Sequence, residues 1–309
     1  MERVSSTGLP ADAIARSWVN DAPPAAQPWL RLMRLDRPIG VELLFLPCVF
    51  GLALAQRRGF GSLHDFALLG LFATGAILMR GAGCTYNDIV DRDFDAQVAR
   101  TRGRPIPSGA VSLRGAWLFL ALQCAAGLLL LLQLNTFSIA LGAGSLVLVA
   151  LYPFMKRITW WPQAWLGLTF NWGALLGYST ITGHLALPAY LLYAGCFFWT
   201  LGYDTIYAHQ DKEDDALIGV KSTARLLGDN SPLWIAGAYA ASWILVAAAL
   251  ILDTQRLWTA SLLAPAALHF FWQVRTLDVN DGARCLTIFR ANRDAGLLIA
   301  AALVATGYL

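Results

Sequence analysis

The sequence predicts an all-α membrane protein, a bundle of nine transmembrane helices around a central cavity, and three observations carry that prediction. Hydrophobic residues make up 57% of the 309-residue chain and charged residues only 14%. With a mean hydropathy of +0.53, this is the balance of an integral membrane protein rather than of soluble domains. The apolar residues gather in runs of about 20, the length a helix needs to cross the hydrocarbon layer. Lysine and arginine are shared unequally between the loops joining those runs, as the positive-inside rule requires.

In chain order, Met1 to Pro28 is polar, rich in alanine and proline, and lacks an apolar core segment. That excludes a signal peptide and predicts a disordered tail over 1–28, ahead of a single membrane domain over 29–309. The apolar runs follow at 39–56, 66–86, 114–134, 137–155, 162–181, 188–208, 233–252, 257–274 and 291–308. The second and the sixth each lead straight into an acidic stretch. Only Gln133 to Asn135 separates the third from the fourth, which predicts a tight helical hairpin. With the N-terminus in the cytoplasm, Arg57, Arg58 and Arg256 fall on the far side, and the remaining 20 of the 23 basic residues on the near side. The acidic stretches and their loops are then cytoplasmic, and the lack of a targeting peptide predicts a bacterial inner membrane.

The net charge of +3 is too small to suggest nucleic acid, and no RNA- or DNA-binding signature interrupts the apolar runs. Five cysteines, Cys48, Cys84, Cys124, Cys196 and Cys285, are scattered without a CxxC pair. They read as free thiols in apolar surroundings, not as disulfides or a metal cage.

The chemistry concentrates in GCTYNDIVDRDFDAQVARTRGRPIPSG, from Gly83 to Gly109. If the helix entering it continues, Asn87, Asp91 and Asp95 recur every four residues, and Asp88 lies within the same stripe, whereas Asp93 points elsewhere. A second acidic series, Asp204, Asp211 and Asp215, follows the sixth run. Carboxylates at a membrane boundary cost free energy unless they face a polar cavity or a counter-charge. One answer is a pair of solvated loops held by salt bridges. The other is Mg²⁺, which prefers oxygen ligands and is usually held by one or two carboxylates together with substrate phosphates. Two such faces could clamp a diphosphate, with Arg100, Arg102, Arg104, Lys156, Arg157 and Lys221 balancing the anion. Asp91, Asp93 and Asp95 open like a calcium loop, but Ala96 and Arg102 stand where that loop needs Gly and Glu. His64, His184, His209 and His269 have no ligand spacing that would suit zinc.

A diphosphate held beside a greasy bundle implies an isoprenoid substrate, its tail in lipid and its head at the metal. Metal charge would stabilise the departing diphosphate, and aromatic faces could shelter the resulting carbocation.

These residues resemble the UbiA superfamily of intramembrane prenyltransferases. NDIVDRDFD is similar to its first Asp motif and DKEDDALIGVKSTA to its second. YPFMKR, with Tyr152 and Lys156, is similar to its YxxxK element, and RLDRPIG, with Arg37, to the opening of its first helix. Within the superfamily the match is strongest to the branch that prenylates 4-hydroxybenzoate for ubiquinone biosynthesis.

The resemblance implies Mg²⁺ held through Asn87, Asp88, Asp91 and Asp95 on one side and Asp211 and Asp215 on the other. It also implies diphosphate contacts from Arg100, Lys156 and Arg157, places Asp204 and Tyr152 near the reacting centre, and puts Arg37 within reach of the aromatic carboxylate. A polyprenyl diphosphate and 4-hydroxybenzoate would be the substrates, with lipid as the surroundings. Glu42 departs from the family's apolar first helix. The residues alone leave open a sister enzyme with another acceptor, such as homogentisate, a naphthoate or haem, and a divalent cation transporter.

Overall fold

The computed structural model describes residues 17–56, 59–97, 101–217 and 219–309, and every regular element among them is helical. Of the tail expected over 1–28, residues 1–16 lie outside the described residues, and folding begins before position 29. Trp18–Asp21 form a 3-10 turn whose start is capped by the Ser17 hydroxyl, which accepts from the Val19 amide, and Val19 is buried. The main helices then begin with α1 (Gln27–Leu32), α2 (Ile39–Ala55), α3 (Leu63–Asp95), α4 (Leu113–Leu131) and α5 (Thr136–Ile158). They continue with α6 (Pro162–Phe170), α7 (Trp172–Thr182), α8 (Leu187–Ala208), α9 (Lys212–Leu217) and α10 (Thr223–Leu227). The last three are α11 (Ser231–Thr254), α12 (Ala264–Thr276) and α13 (Gly282–Thr306).

All nine apolar runs are therefore helical, with two departures from the expected spans. The run over 162–181 breaks at Asn171 into α6 and α7, and the run over 257–274 starts as a 3-10 helix, Leu257–Leu263, before α12. Among the described residues four segments are long and apolar enough to cross a membrane: α3, α4, α5 and Thr223–Thr254. On α4 only Ala116 and Gln123 are buried, while Leu118, Leu122 and Leu129 are exposed. Water would penalise such a surface and lipid accommodates it.

The chain divides into two compact units, Met1–Val41 with Thr74–Leu130, and Glu42–Ala73 with Leu131–Leu309. In the first, Leu32, Ile89, Ile106, Val111 and Ala116 form the core. Trp29 packs edge-on against Phe119 beside it, ring centroids 5.0 Å apart. The buried Gln123 takes a hydrogen bond from Thr85 Oγ1 at 3.2 Å and ties α4 to α3.

In the second unit α2 and α7 approach backbone to backbone. A Cβ on Gly51 would lie 2.7 Å from the Tyr178 amide, and one on Gly177 2.9 Å from the Leu52 amide. Such close helix approach is what small residues permit. Buried side chains on four helices join in one polar network. Asn292 Oδ1 accepts from Trp199 Nε1 at 2.9 Å, Asn292 Nδ2 donates to Gln273 Oε1 at 3.0 Å, and Tyr239 OH donates to Gln273 Oε1 at 2.7 Å. Cys48, Cys84, Cys196 and Cys285 are buried, Cys124 is exposed, and all five are free.

Candidate active site

The first acidic stretch is positioned by α3, a helix of 33 residues that starts in a reciprocal cap. The Asp65 amide donates to Ser62 Oγ at 3.1 Å, and the Ser62 amide donates to Asp65 Oδ2 at 2.9 Å, so two otherwise orphaned amides are satisfied. The helix runs unbroken to Asp95. Asn87, Asp91 and Asp95 therefore do recur at one-turn intervals along one face. Asp88 and Asp91 are fully buried and Asp95 is nearly so. Asp93 is exposed and pairs with the neighbouring Arg92, at 3.4 Å.

Beyond α3 the chain folds back on itself. Thr101 Oγ1 donates to the Asp95 carbonyl at 2.9 Å, closing the helix end. The Arg104 amide donates to Thr101 O at 2.9 Å, and the Val111 amide to Pro105 O at 2.9 Å. This turn returns Arg104 to the helix it has left. Its Nη1 lies 2.7 Å from Asp95 Oδ2 and 3.4 Å from Asp88 Oδ1. Arg102 is exposed, and Arg100 lies outside the described residues.

Arg34 completes the cluster, and sequence reasoning missed it. Its Nη2 reaches both oxygens of Asp88, at 2.7 and 2.9 Å. The backbone aims it there. Arg34 ends α1 in the left-handed region, with φ of 59°, while the Leu35 amide donates to Leu30 O and the Arg34 amide to Arg31 O. This is the Schellman arrangement that glycine usually supplies. The arginine bears a strain of roughly 1 kcal/mol there, against a buried, two-pronged charge pair. Arg37, the residue expected to meet an aromatic carboxylate, has its guanidinium 3.3 Å from Asp36 Oδ2.

The second acidic series is less regular than its spacing suggests. Asp204 stands on α8 and is half-buried, Asp211 belongs to the 3-10 turn His209–Asp211, and Asp215 is half-buried on α9. No single helix carries all three. His209 hydrogen-bonds Ser231 Oγ through Nε2 at 2.9 Å. Burial, then the nearby Lys212, pulls its pKa down to about 4, so it is neutral near pH 7 and offers no charge to an anion.

Lys221 is anchored by its amide to Lys156 O at 3.0 Å and by its ammonium to Ile158 O at 3.1 Å. Thr223 follows, its amide donating to Gln163 Oε1 at 3.0 Å and its hydroxyl sharing a 2.8 Å hydrogen bond with Thr205. Tyr152 and Lys156, one turn apart on α5, are both half-buried, and Arg157 is exposed. Within this unit, backbone ties thus bring Lys221 beside Lys156.

Among the described residues no three His, Cys, Asp or Glu side chains are grouped so as to hold a metal ion. The first stretch nonetheless offers only oxygen donors, which suit Mg²⁺. Asn87, Asp91 and Asp95 carry oxygens of that kind, with Asp95 Oδ2 on Arg104, and Asp88 gives both of its oxygens to Arg34.

Residues 44–300 match the model of the UbiA prenyltransferase family. The chain belongs to the UbiA prenyltransferase family. Among the curated proteins, this family member is 49% identical over 296 residues to the mitochondrial 4-hydroxybenzoate polyprenyltransferase of Bos taurus, covering 94% of the chain and 78% of that protein. It is 50% identical over 292 residues to that of Rattus norvegicus, covering 92% and 76%. Among solved structures, a UbiA homolog from Aeropyrum pernix K1 superposes with a TM-score of 0.66 at 26% identity, covering 85% of this chain and 97% of that one. Another, from Archaeoglobus fulgidus and bound to GPP and Mg²⁺, gives 0.67 at 22% identity, covering 91% and 98%.

One expectation falls. The expected bacterial inner membrane is overturned by the similar 4-hydroxybenzoate polyprenyltransferases of Bos taurus, Rattus norvegicus, Homo sapiens and Arabidopsis thaliana, which are mitochondrial.

Proposed function

We propose that this chain transfers a polyprenyl group from polyprenyl diphosphate to the ring of 4-hydroxybenzoate, ortho to the hydroxyl, in a Mg²⁺-dependent reaction. The observation that carries the reading is the 49% identity to a protein of that name over 94% of the chain. An oxygen-only acidic face on α3, backed by arginine, gives that identity a chemical basis.

In this reading Asn87, Asp91 and Asp95 hold one Mg²⁺, and Asp211 and Asp215 hold another. Bound there, the metal supplies positive charge to the departing diphosphate. Asp88 is a positioning residue, holding Arg34 and approaching Arg104. Arg100, Arg102, Arg104, Lys156, Arg157 and Lys221 bind phosphate oxygens, with Arg better suited than Lys to two-pronged contact. Asp204 and Tyr152 stand near the acceptor ring, and Arg37, shared with Asp36, receives its carboxylate. Nine membrane spans belong to the same reading, with the prenyl tail of the substrate lying in lipid.

The test is a membrane assay with a polyprenyl diphosphate, 4-hydroxybenzoate and Mg²⁺, read by mass spectrometry of the product. A prenylated 4-hydroxybenzoate that disappears on EDTA treatment and returns with Mg²⁺ is the expected result. No product, or a product indifferent to EDTA, overturns the assignment.

A further inference from the structure

Arg104 stands between two acids of unequal freedom. Asp88 is fully buried and fixed, with both oxygens on Arg34. Asp95 ends α3, its side chain 10% exposed, and gives Oδ2 to Arg104 at 2.7 Å. The guanidinium is longer, at 3.4 Å, to Asp88 Oδ1. Its Nε is buried and has no hydrogen-bond partner, an unmet donor that a native structure rarely keeps without a reason.

We propose that Arg104 is an exchangeable counter-ion, which neutralises Asp95 and yields that carboxylate to a divalent cation by tightening onto Asp88. The inference rests on the metal-dependent reading above and adds to it a competition between a side chain and the metal. A divalent cation at Asp95 Oδ2 and a guanidinium on the same oxygen would lie within a few Å of each other and repel strongly in so buried a place. One of them has to move. Arg104 has a second acid already in reach, so it needs only to shorten its longer contact. That shift turns its donors, the unmet Nε among them, to an incoming anion of the diphosphate class. Asp88 is thereby the pivot: held by Arg34, it keeps the displaced charge beside the site instead of releasing it to solvent.

The competition has a sign opposite to that of a purely structural role. Removing a residue that merely supports the site weakens metal binding, whereas removing a competitor strengthens it. The measurement is Mn²⁺ binding to the detergent-solubilised full chain, followed by electron paramagnetic resonance without any diphosphate. Arg104→Gln is expected to bind Mn²⁺ threefold or more tightly than the unsubstituted chain. Arg104→Lys, a single point charge unable to bridge both acids, should show a smaller gain. Arg114→Gln, at an exposed position, removes a charge of the same sign and should change nothing. If whichever of the two Arg104 variants elutes as a monodisperse species binds Mn²⁺ no more tightly than the unsubstituted chain, the exchange is refuted while the metal-dependent reading stands. If the unsubstituted chain binds no Mn²⁺, both are refuted.

Discussion

Arg34 and Asp88, 54 residues apart, form a buried pair in which one guanidinium nitrogen meets both carboxylate oxygens, at 2.7 and 2.9 Å. The pair fastens the end of α1 to the start of the acidic stretch on α3. Removing one partner of such a pair leaves an uncompensated buried charge, at a cost of about 3–5 kcal/mol. Asp88→Asn is therefore expected to lower the apparent melting temperature in detergent sharply. Asp93→Asn, only five residues on, alters an exposed surface pair and should change stability by less than about 0.5 kcal/mol. Equal melting temperatures for the two variants would contradict a structural role for Asp88.

Activity should divide the same acids differently. Asp91 and Asp95 share a face with Asn87 and are the proposed metal oxygens, so Asp91→Asn should reduce turnover by roughly 10²–10³-fold, the scale seen when one stabilising group is removed from a transition state. Asp93→Asn should retain near-full turnover. Rates of prenyl transfer measured across a Mg²⁺ titration decide the matter. A fully active Asp91→Asn protein would remove this residue from the site.

The sequence carried much of this, for reasons visible in particular residues. The spacing of Asn87, Asp91 and Asp95 is helical, and the helix does run through Asp95, because Asp and Asn on a long apolar helix need only a local register to be aligned. The second series was harder. Positions 204, 211 and 215 also suggest turns of one helix, yet α8 stops at Ala208 and a 3-10 turn intervenes. Asn171 interrupts an apolar run with no proline beside it. Its amide donates instead to Gly167 O and Thr200 Oγ1, the latter 29 residues away. Arg34 was the main omission. Its left-handed backbone stands where a glycine would have signalled the turn, and its partner Asp88 is remote in sequence. Arg31, Arg34 and Arg37 count alike among the near-side basic residues, and nothing in that count tells which of them turns inward.

Glycine substitutions probe the α2–α7 contact. Gly51 and Gly177 each face backbone of the opposite helix, which cannot withdraw as a flexible side chain can. Gly177→Ala should therefore destabilise by about 1–3 kcal/mol or more, the cost of overpacking. Gly144, inside α5, has nothing within 4 Å of an added Cβ, so Gly144→Ala should leave the melting temperature unchanged or raise it by up to about 1 kcal/mol in stability. Thermal scans of the two proteins side by side test the difference. A benign Gly177→Ala would mean that the two helices lie farther apart than described.

Asn292 offers the complementary test inside the second unit. It is fully buried, and its amide both accepts from Trp199 on α8 and donates to Gln273 on α12, while Gln273 also accepts from Tyr239 on α11. Asn292→Leu strands the Trp199 N–H and one face of Gln273 in an apolar setting, at about 1–3 kcal/mol for each group left unsatisfied. Replacing Gln273 with Leu as well removes one of those stranded partners, so the double variant should lose less stability than the two single losses added together. Such non-additivity, measured as a double-mutant cycle on melting in detergent, is what a shared network requires. Strict additivity would mean that Asn292 and Gln273 stabilise the helices independently, and that the 3.0 Å hydrogen bond between them contributes nothing to holding α12 against α13.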